Sequence, residues 1–370
     1  MRAAVIYSVI EAVAGSERVA LVTTDLLASI GFKVELITFS KPDLKAVREF
    51  LRGSEGVNVT SLIPLRIPGL GIYQRVLTYT LSPRVGADLV VSVHGDLLPY
   101  RSSSRIPTIH YCHYPLAVVP RHRDLLGKYS SWPWRLYYEI YRAVSAPLAA
   151  RAAEEGIVVA NSRFVKALLK LSLGIDGHVI YPPVDLRDLL KIPLERDRED
   201  TILMLGRYSQ EKRYEKALEI MKNLPSWVRL RIAGILTRSG LSYYRKLKKL
   251  VERYGLEGRV ELLRNIPREK ILELMARSSV FLHMYRGEHF GIAVVEAMAA
   301  GLIPVAWDFG GPSEYLPQEN LFKSLEEIPE KILRALRASK SERQRIREKS
   351  LEFSEENFRR RMKTLINSLI

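Results

Sequence analysis

The chain has 370 residues, 47% of them hydrophobic and 26% charged, which excludes a mainly disordered, collagenous or coiled-coil protein and suffices for two domains with sizeable cores. Lys and Arg exceed Asp and Glu by 57 − 41 = +16, a balance that favours anionic partners: phosphorylated substrates, an acidic membrane face or nucleic acid. The single cysteine, Cys112, excludes an intrachain disulfide framework, and the first apolar run lacks a signal-peptide layout, so the expected location is cytoplasmic.

Short apolar runs predict strands at residues 3–9, 34–39, 88–94, 106–111 and 156–162. Runs of this length bounded by Gly, Pro or Asp suit strands buried on both faces. Between the first two lies SERVALVTTDLLASIGF, helical in period and stopped at Gly31, which gives a βαβ unit and a parallel sheet. Residues 186–200 (LRDLLKIPLERDRED) are charged, contain Pro193 and read as a linker. Beyond them the alternation restarts, with strands at 201–206, 228–234, 259–263, 279–284 and 302–307 and helices near 211–223, 241–254 and 267–277. The apolar stretch 290–307 is long enough to raise a membrane span, but Glu296 inside it and the stop at Gly301 read as a buried helix feeding a buried strand.

The expected architecture is α/β: two Rossmann-like doubly wound domains whose strand C-termini face a cleft, the default ligand site. The boundaries predicted are an N-terminal domain at 1–185, the linker at 186–200, a C-terminal domain at 201–350, and a helix at 351–370 packing back on the first domain.

Chemistry concentrates in EHFGIAVVEAMAAG, residues 288–301. On one continuous helix Glu288 and Glu296 would point roughly 80° apart. A helix opening near Gly291 instead leaves Glu288 in the loop and puts Glu296 on the second turn. The unpaired N–H groups and positive dipole end of such a helix favour an anion. The capping and core readings of both carboxylates stay open on spacing alone. A second element, LGRYSQEK at 205–212, follows a predicted strand and offers Arg207 and Lys212 as phosphate-matched cations, or as solvated surface charges. His110, Cys112 and His113 are poorly spaced as metal ligands, since strand alternation throws His113 to the opposite face. His94 reads as a structural histidine.

The segments AGSERVAL (14–21), HYP (113–115), ANSRF (160–164), YPPVD (181–185), GRYSQEK (206–212) and EHFGIAVVEAMAAGLIPVAWDFGGP (288–312) together resemble family 4 of the retaining glycosyltransferases, which have the GT-B fold. Within that family the likeness is greatest to the α-1,2-mannosyltransferases that extend lipid-linked oligosaccharides for N-glycosylation. The resemblance implies that Glu296 holds the donor ribose and Glu288 the hydroxyls of the transferring sugar. It gives the diphosphate to Arg207 and Lys212, to Gly15 in the first loop, and to the backbone of Phe290, Gly291, Ile292 and Ala293. His113 would lie beside the acceptor and the sugar. Departures are the single glycine of the first loop and the distinctive stretch between His113 and Asn161.

No separate cofactor and no metal are expected, and no D-x-D pair is present. The expected donor is GDP-mannose, with a UDP-sugar as the alternative; the expected acceptor is a polyprenyl- or dolichyl-linked glycan. A small sugar or sugar phosphate is the runner-up acceptor. A basic nucleic-acid-binding protein is the reading from another class; helix-turn-helix, zinc-finger and P-loop signatures are lacking, so nucleic acid is not an expected partner. Residues 132–151 (WPWRLYYEIYRAVSAPLAAR) interleave aromatics with arginines. They read either as an interfacial helix docking on an anionic membrane surface, making the protein peripheral on the cytoplasmic face, or as a helix packed on the sheet.

Overall fold

The computed structural model describes residues 1–10, 15–64, 71–82, 86–99, 106–194 and 198–370. Ala14 of the AGSERVAL segment and residues 195–197 of the expected linker lie outside the described residues. The chain divides into two compact units, Met1–Pro183 together with Glu355–Ile370, and Val184–Ser354.

In the first unit β1 (Arg2–Tyr7), β2 (Lys33–Ser40), β3 (Val57–Ile63), β4 (Leu89–Ser92), β5 (Thr108–Cys112), β6 (Ile157–Ala160) and β7 (His178–Val179) form one parallel sheet in the order β3-β2-β1-β4-β5-β6-β7. Its central strands are largely apolar, as suits strands buried on both faces, and Val5, Leu36, Val91 and Ile109 are fully buried. The helix Ser16–Ser29 buries Val19, Ala20, Val22, Leu26 and Leu27 against that core. The C-terminal helix Glu355–Asn367 adds Phe358, Met362 and Ile366 to the same core. Arg18 pairs with Glu355 and Arg359 with Asp25, each at 2.5 Å, which fixes the helix at its polar edge.

In the second unit β8 (Glu199–Leu205), β9 (Arg229–Gly234), β10 (Val260–Arg264), β11 (Ser278–His283), β12 (Ile303–Trp307) and β13 (Leu321–Phe322) form a parallel sheet in the order β10-β9-β8-β11-β12-β13. Phe281 sits beside Leu203 on one side and Pro304 on the other. The charged segment 186–200 is anchored here: Arg198 donates to the carbonyls of Met275, Ser278 and Ala300 at 2.8, 2.7 and 2.5 Å. Residues 290–307 form the helix Ile292–Ala299 followed by β12. Among the described residues no helix is long and apolar enough to cross a membrane.

The carboxyl ends of β8 and β9 come together more closely than side chains allow. A Cβ at Gly234 would stand 1.8 Å from the Gly206 carbonyl oxygen, so only glycine fits at that crossing. This close approach shapes the turn that leads from β8 into residues 206–212.

Candidate active site at the carboxyl end of the second sheet

The strand order of the second sheet reverses between β8 and β11, and ligands of doubly wound sheets bind beyond the strand ends at such a switch point. The turn after β8 ends in a 3₁₀ segment, Gln210–Lys212, and β11 ends at His283. The two connections bring their side chains onto one carboxylate. Lys212 Nζ lies 3.6 Å and His283 Nε2 3.1 Å from Glu288 Oε2, while the His289 backbone N–H donates to Glu288 Oε1 at 3.2 Å. The Lys212 ammonium also sits 5.3 Å from the Tyr285 ring centroid.

The backbone of Glu288 is held as firmly as its side chain. It forms a β-bridge with Gly310, and the Gly311 N–H donates to the Glu288 carbonyl at 2.6 Å. A Cβ at Gly310 would come within 2.5 Å of that carbonyl, and one at Gly311 within 2.5 Å of the Phe290 Cα. Both glycines of the FGGP segment are therefore required by close approach. Gly291 caps the helix Ile292–Ala299 with φ of +94°. Tyr315 Oη donates to the Phe290 carbonyl at 2.7 Å, locking the entry to that helix from outside.

Burial pushes the Glu288 carboxyl toward protonation, but the Lys212 charge and then His283 outweigh it and hold the group well below the usual carboxylate range. Burial lowers His283, with its contact to Glu288 pulling the other way, and the net is a ring kept neutral. Glu288 is thus a fixed negative charge that is unsuited to donating a proton. It can accept hydrogen bonds from sugar hydroxyls and stabilise positive charge developing nearby.

Glu296 stands on the second turn of the helix and meets Arg268 Nη1 at 3.1 Å; Arg268 opens the helix Arg268–Arg277. Arg207 does not join the cluster: its side chain is 68% exposed and lies 3.7 Å from Glu211. Ile292 and Ala293 form the first two positions of the helix behind Gly291, with Phe290 buried before it. His283, Arg268 and a pair of arginines at Trp307 were not anticipated from sequence. Arg213 and Arg286 place their guanidinium groups 5.8 and 5.2 Å from the Trp307 ring centroid. Their only sequence signal is adjacency, Arg213 to Lys212 and Arg286 to Glu288.

Gly15 and His113 belong to the first unit. Gly15 precedes the helix Ser16–Ser29 with φ of +59°, a conformation that favours glycine, and its position is open. His113 follows β5 and packs edge-on against Tyr111 at 5.1 Å between ring centroids. Nearby, Asp96 is a buried hub that accepts from the Leu97 and Ala117 N–H groups and from Tyr141 Oη, each at 2.9 Å. The Tyr114 N–H donates to the Gly95 carbonyl at 2.8 Å, so this turn anchors the HYP loop at two points. His94 is buried with Nδ1 3.2 Å from Ser8 Oγ, a structural histidine. Among the described residues no group of three His, Cys, Asp or Glu gathers as a metal site.

Two family models match the chain in tandem: "Glycosyltransferase Family 4" over residues 13–188 and "Glycosyl transferases group 1" over residues 187–353. Among curated relatives, the GDP-Man:Man(3)GlcNAc(2)-PP-Dol alpha-1,2-mannosyltransferase of Dictyostelium discoideum is 24% identical over 80% of this chain and 59% of its own length. The enzyme of that name from Homo sapiens is 27% identical over 57% of this chain and 47% of its own. The chain therefore spans about half the length of the curated relatives it matches. Among solved structures, Anabaena HepE in complex with UDP and glucose superposes with a TM-score of 0.69 at 18% identity, with both chains fully covered. Sucrose-phosphate synthase from Thermosynechococcus elongatus gives 0.72 at 18% identity, covering 100% of this chain and 99% of that one. At such identity the likeness is one of fold, and the fold is GT-B. The two models together run from residue 13 to residue 353, so the chain carries a family 4 glycosyltransferase domain followed by a group 1 glycosyl transferase domain.

Proposed function

We propose that this protein transfers mannose from GDP-mannose, with retention of configuration, onto a lipid-linked glycan at an anionic membrane face. The observation that carries the reading is the Lys212–Glu288–His283 contact in front of the helix Ile292–Ala299. In the proposed reaction the bond from the sugar C1 to the diphosphate breaks and one from C1 to the acceptor oxygen forms. The acceptor proton passes to the departing diphosphate oxygen. Lys212, Arg207, and the backbone of Phe290 to Ala293 would meet the charge growing on that diphosphate, since cations and a helix amino end favour anions. Glu288, permanently ionised, would orient the sugar hydroxyls and balance positive character at C1. Glu296, oriented by Arg268, would take the ribose hydroxyls. For the first unit, Gly15 is proposed to serve the phosphates and His113 the acceptor.

The choice of guanine and mannose is supported by the names of the curated relatives. The test is release of nucleotide from a panel of nucleotide sugars, with lipid-linked oligosaccharide or free sugars as acceptor. Release from GDP-mannose, stimulated by the lipid-linked acceptor, is expected. Turnover of UDP-sugars alone would overturn the donor, and equal stimulation by free sugars would overturn the acceptor.

A further inference from the structure

Glu288 combines a pinned backbone with a carboxylate whose orientation is left to its neighbours. The bridge to Gly310 and the Gly311 N–H hold the main chain, so the side-chain torsions are set by whatever meets the two oxygens. An ionised carboxylate offers about four acceptor sites. Oε1 takes the His289 N–H at 3.2 Å, and Oε2 stands between Lys212 Nζ at 3.6 Å and His283 Nε2 at 3.1 Å. Neither neighbour of Oε2 is aligned as a hydrogen bond. The oxygen is shared between them.

The two neighbours differ in how firmly they are seated. Lys212 carries its ammonium on a flexible four-carbon stem from the end of a 3₁₀ segment, within 5.3 Å of the Tyr285 ring centroid as well. His283 is the last residue of β11 and lies in register with Ala306 of β12. Its ring runs nearly parallel to that of the fully buried Phe281, 6.4 Å away, and its side chain is only 5% exposed. A ring so enclosed keeps its direction. A lone pair on Nε2 would confront those of Oε2 at 3.1 Å, so Nε2 carries the proton. Burial outweighs the pull of Glu288 and holds the ring to that one proton.

From this geometry we infer that His283 is a positioning residue for Glu288, its Nε2–H holding Oε2 once a donor diphosphate draws the Lys212 ammonium away. A buried carboxylate that loses the close company of a cation needs another donor at the same oxygen, or it turns from its place. His283 supplies that donor from a fixed seat, and the remaining acceptor sites stay directed at the sugar hydroxyls. Lys212 thus serves two anions in turn, and His283 serves one throughout. The inference rests on the proposed use of Lys212 for the diphosphate and of Glu288 for the sugar, and is independent of which base or sugar the donor carries.

The experiment is a double-mutant cycle on the full chain with His283→Leu, Glu288→Gln and their combination, read by transfer from GDP-mannose and by calorimetry with GDP. His283→Leu is expected to lower kcat about ten- to hundredfold, with the Kd for GDP kept within about twofold. His283→Gln, whose amide nitrogen reaches the place of Nε2, should recover most of that loss. In the Glu288→Gln background His283→Leu should change kcat by less than about twofold, because the group it acts through has gone. As a check independent of folding in any variant, nitrogen-15 NMR of the parent should find the His283 proton on Nε2. Saturating GDP should move that proton downfield as its bond to Oε2 forms. A kcat loss carried in full into the Glu288→Gln background would overturn the inference. So would a Gln variant no better than the Leu variant, a proton on Nδ1, or a resonance that bound GDP leaves unmoved. Turnover of a UDP-sugar in place of GDP-mannose would strike the proposed donor, and the same cycle run with that sugar nucleotide and UDP would decide the inference by the same outcomes.

Discussion

The two sheets share a topology and differ in what they place where the strand order reverses. In the second unit, β8 and β11 deliver a lysine, a carboxylate and a histidine that meet within 3.6 Å. In the first unit, the chain just beyond β1 and β4 places Ser8 and His94 3.2 Å apart and neutral, with Asp96 turned inward to hold backbone. Burial, followed by the charge of Arg75, takes His94 down to about 3, and burial takes His110 to about 4. Similar burial therefore coexists with an ionised Glu288 in one unit and with neutral histidines in the other. The deciding factor is the neighbour at close range: Glu288 has the opposite charge of Lys212, whereas His94 has the like charge of Arg75 and His110 is lowered by burial.

The largest effect expected falls on stability. Asp96→Ala would strand two backbone N–H groups and the Tyr141 hydroxyl, costing about 3–5 kcal/mol in denaturant unfolding, while the proposed nucleotide binding should persist in the folded fraction. A variant as stable as the parent would remove Asp96 as the anchor of that turn. Next comes Glu288→Gln, expected to lower kcat ~10²–10³-fold with nucleotide affinity largely kept, read by single-turnover transfer and calorimetry. Unchanged turnover would leave the charged cluster without a catalytic role.

The third prediction concerns pH. The folded values of His94 and His110 lie below the ordinary 6.5, so the unfolded chain binds protons that the folded chain refuses. Their contribution is complete above about 6.5 and is lost as pH falls toward the folded values, with a slope approaching about 1.4 kcal/mol per pH unit for each ring. His283, also lowered, acts in the same sense. Glu288 has the depressed-carboxylate sign: its contribution lies above the ordinary carboxylate range and fades only at strongly acid pH. Unfolding free energy should therefore decline from about pH 7 to about pH 5, and His110→Gln should flatten part of that decline. The smallest effect is expected for Arg207→Ala, which should weaken the proposed nucleotide binding by about fivefold at most and by less than Lys212→Ala does. Parent-like affinity would take Arg207 out of the donor site.

The strands buried on both faces were legible because their sequences are continuous apolar runs: AAVIYSV became Arg2–Tyr7 and VRLRIAG became Arg229–Gly234. β3 was missed because VNVTSLI is half-buried on a sheet edge and mixes polar with apolar residues. β7 and β13, at two residues each, are too short to carry a pattern. The Gly291 helix start and the loop position of Glu288 followed from local rules of helix capping. What spacing could not supply was the company each carboxylate keeps. Arg268 precedes Glu296 by 28 residues, and His283 looked like one more strand residue, so both pairings arise from sheet order rather than from the local chain.

The C-terminal helix carries a consequence for synthesis. Phe358, Met362 and Ile366 complete a core whose other members come almost wholly from the first 180 residues. On the ribosome that half-built layer must wait, with its apolar floor uncovered, until the whole second unit has been translated and the helix Glu355–Asn367 emerges. Nascent chains arrested before Phe358 should consequently recruit holdase chaperones, and release of the last segment should discharge them.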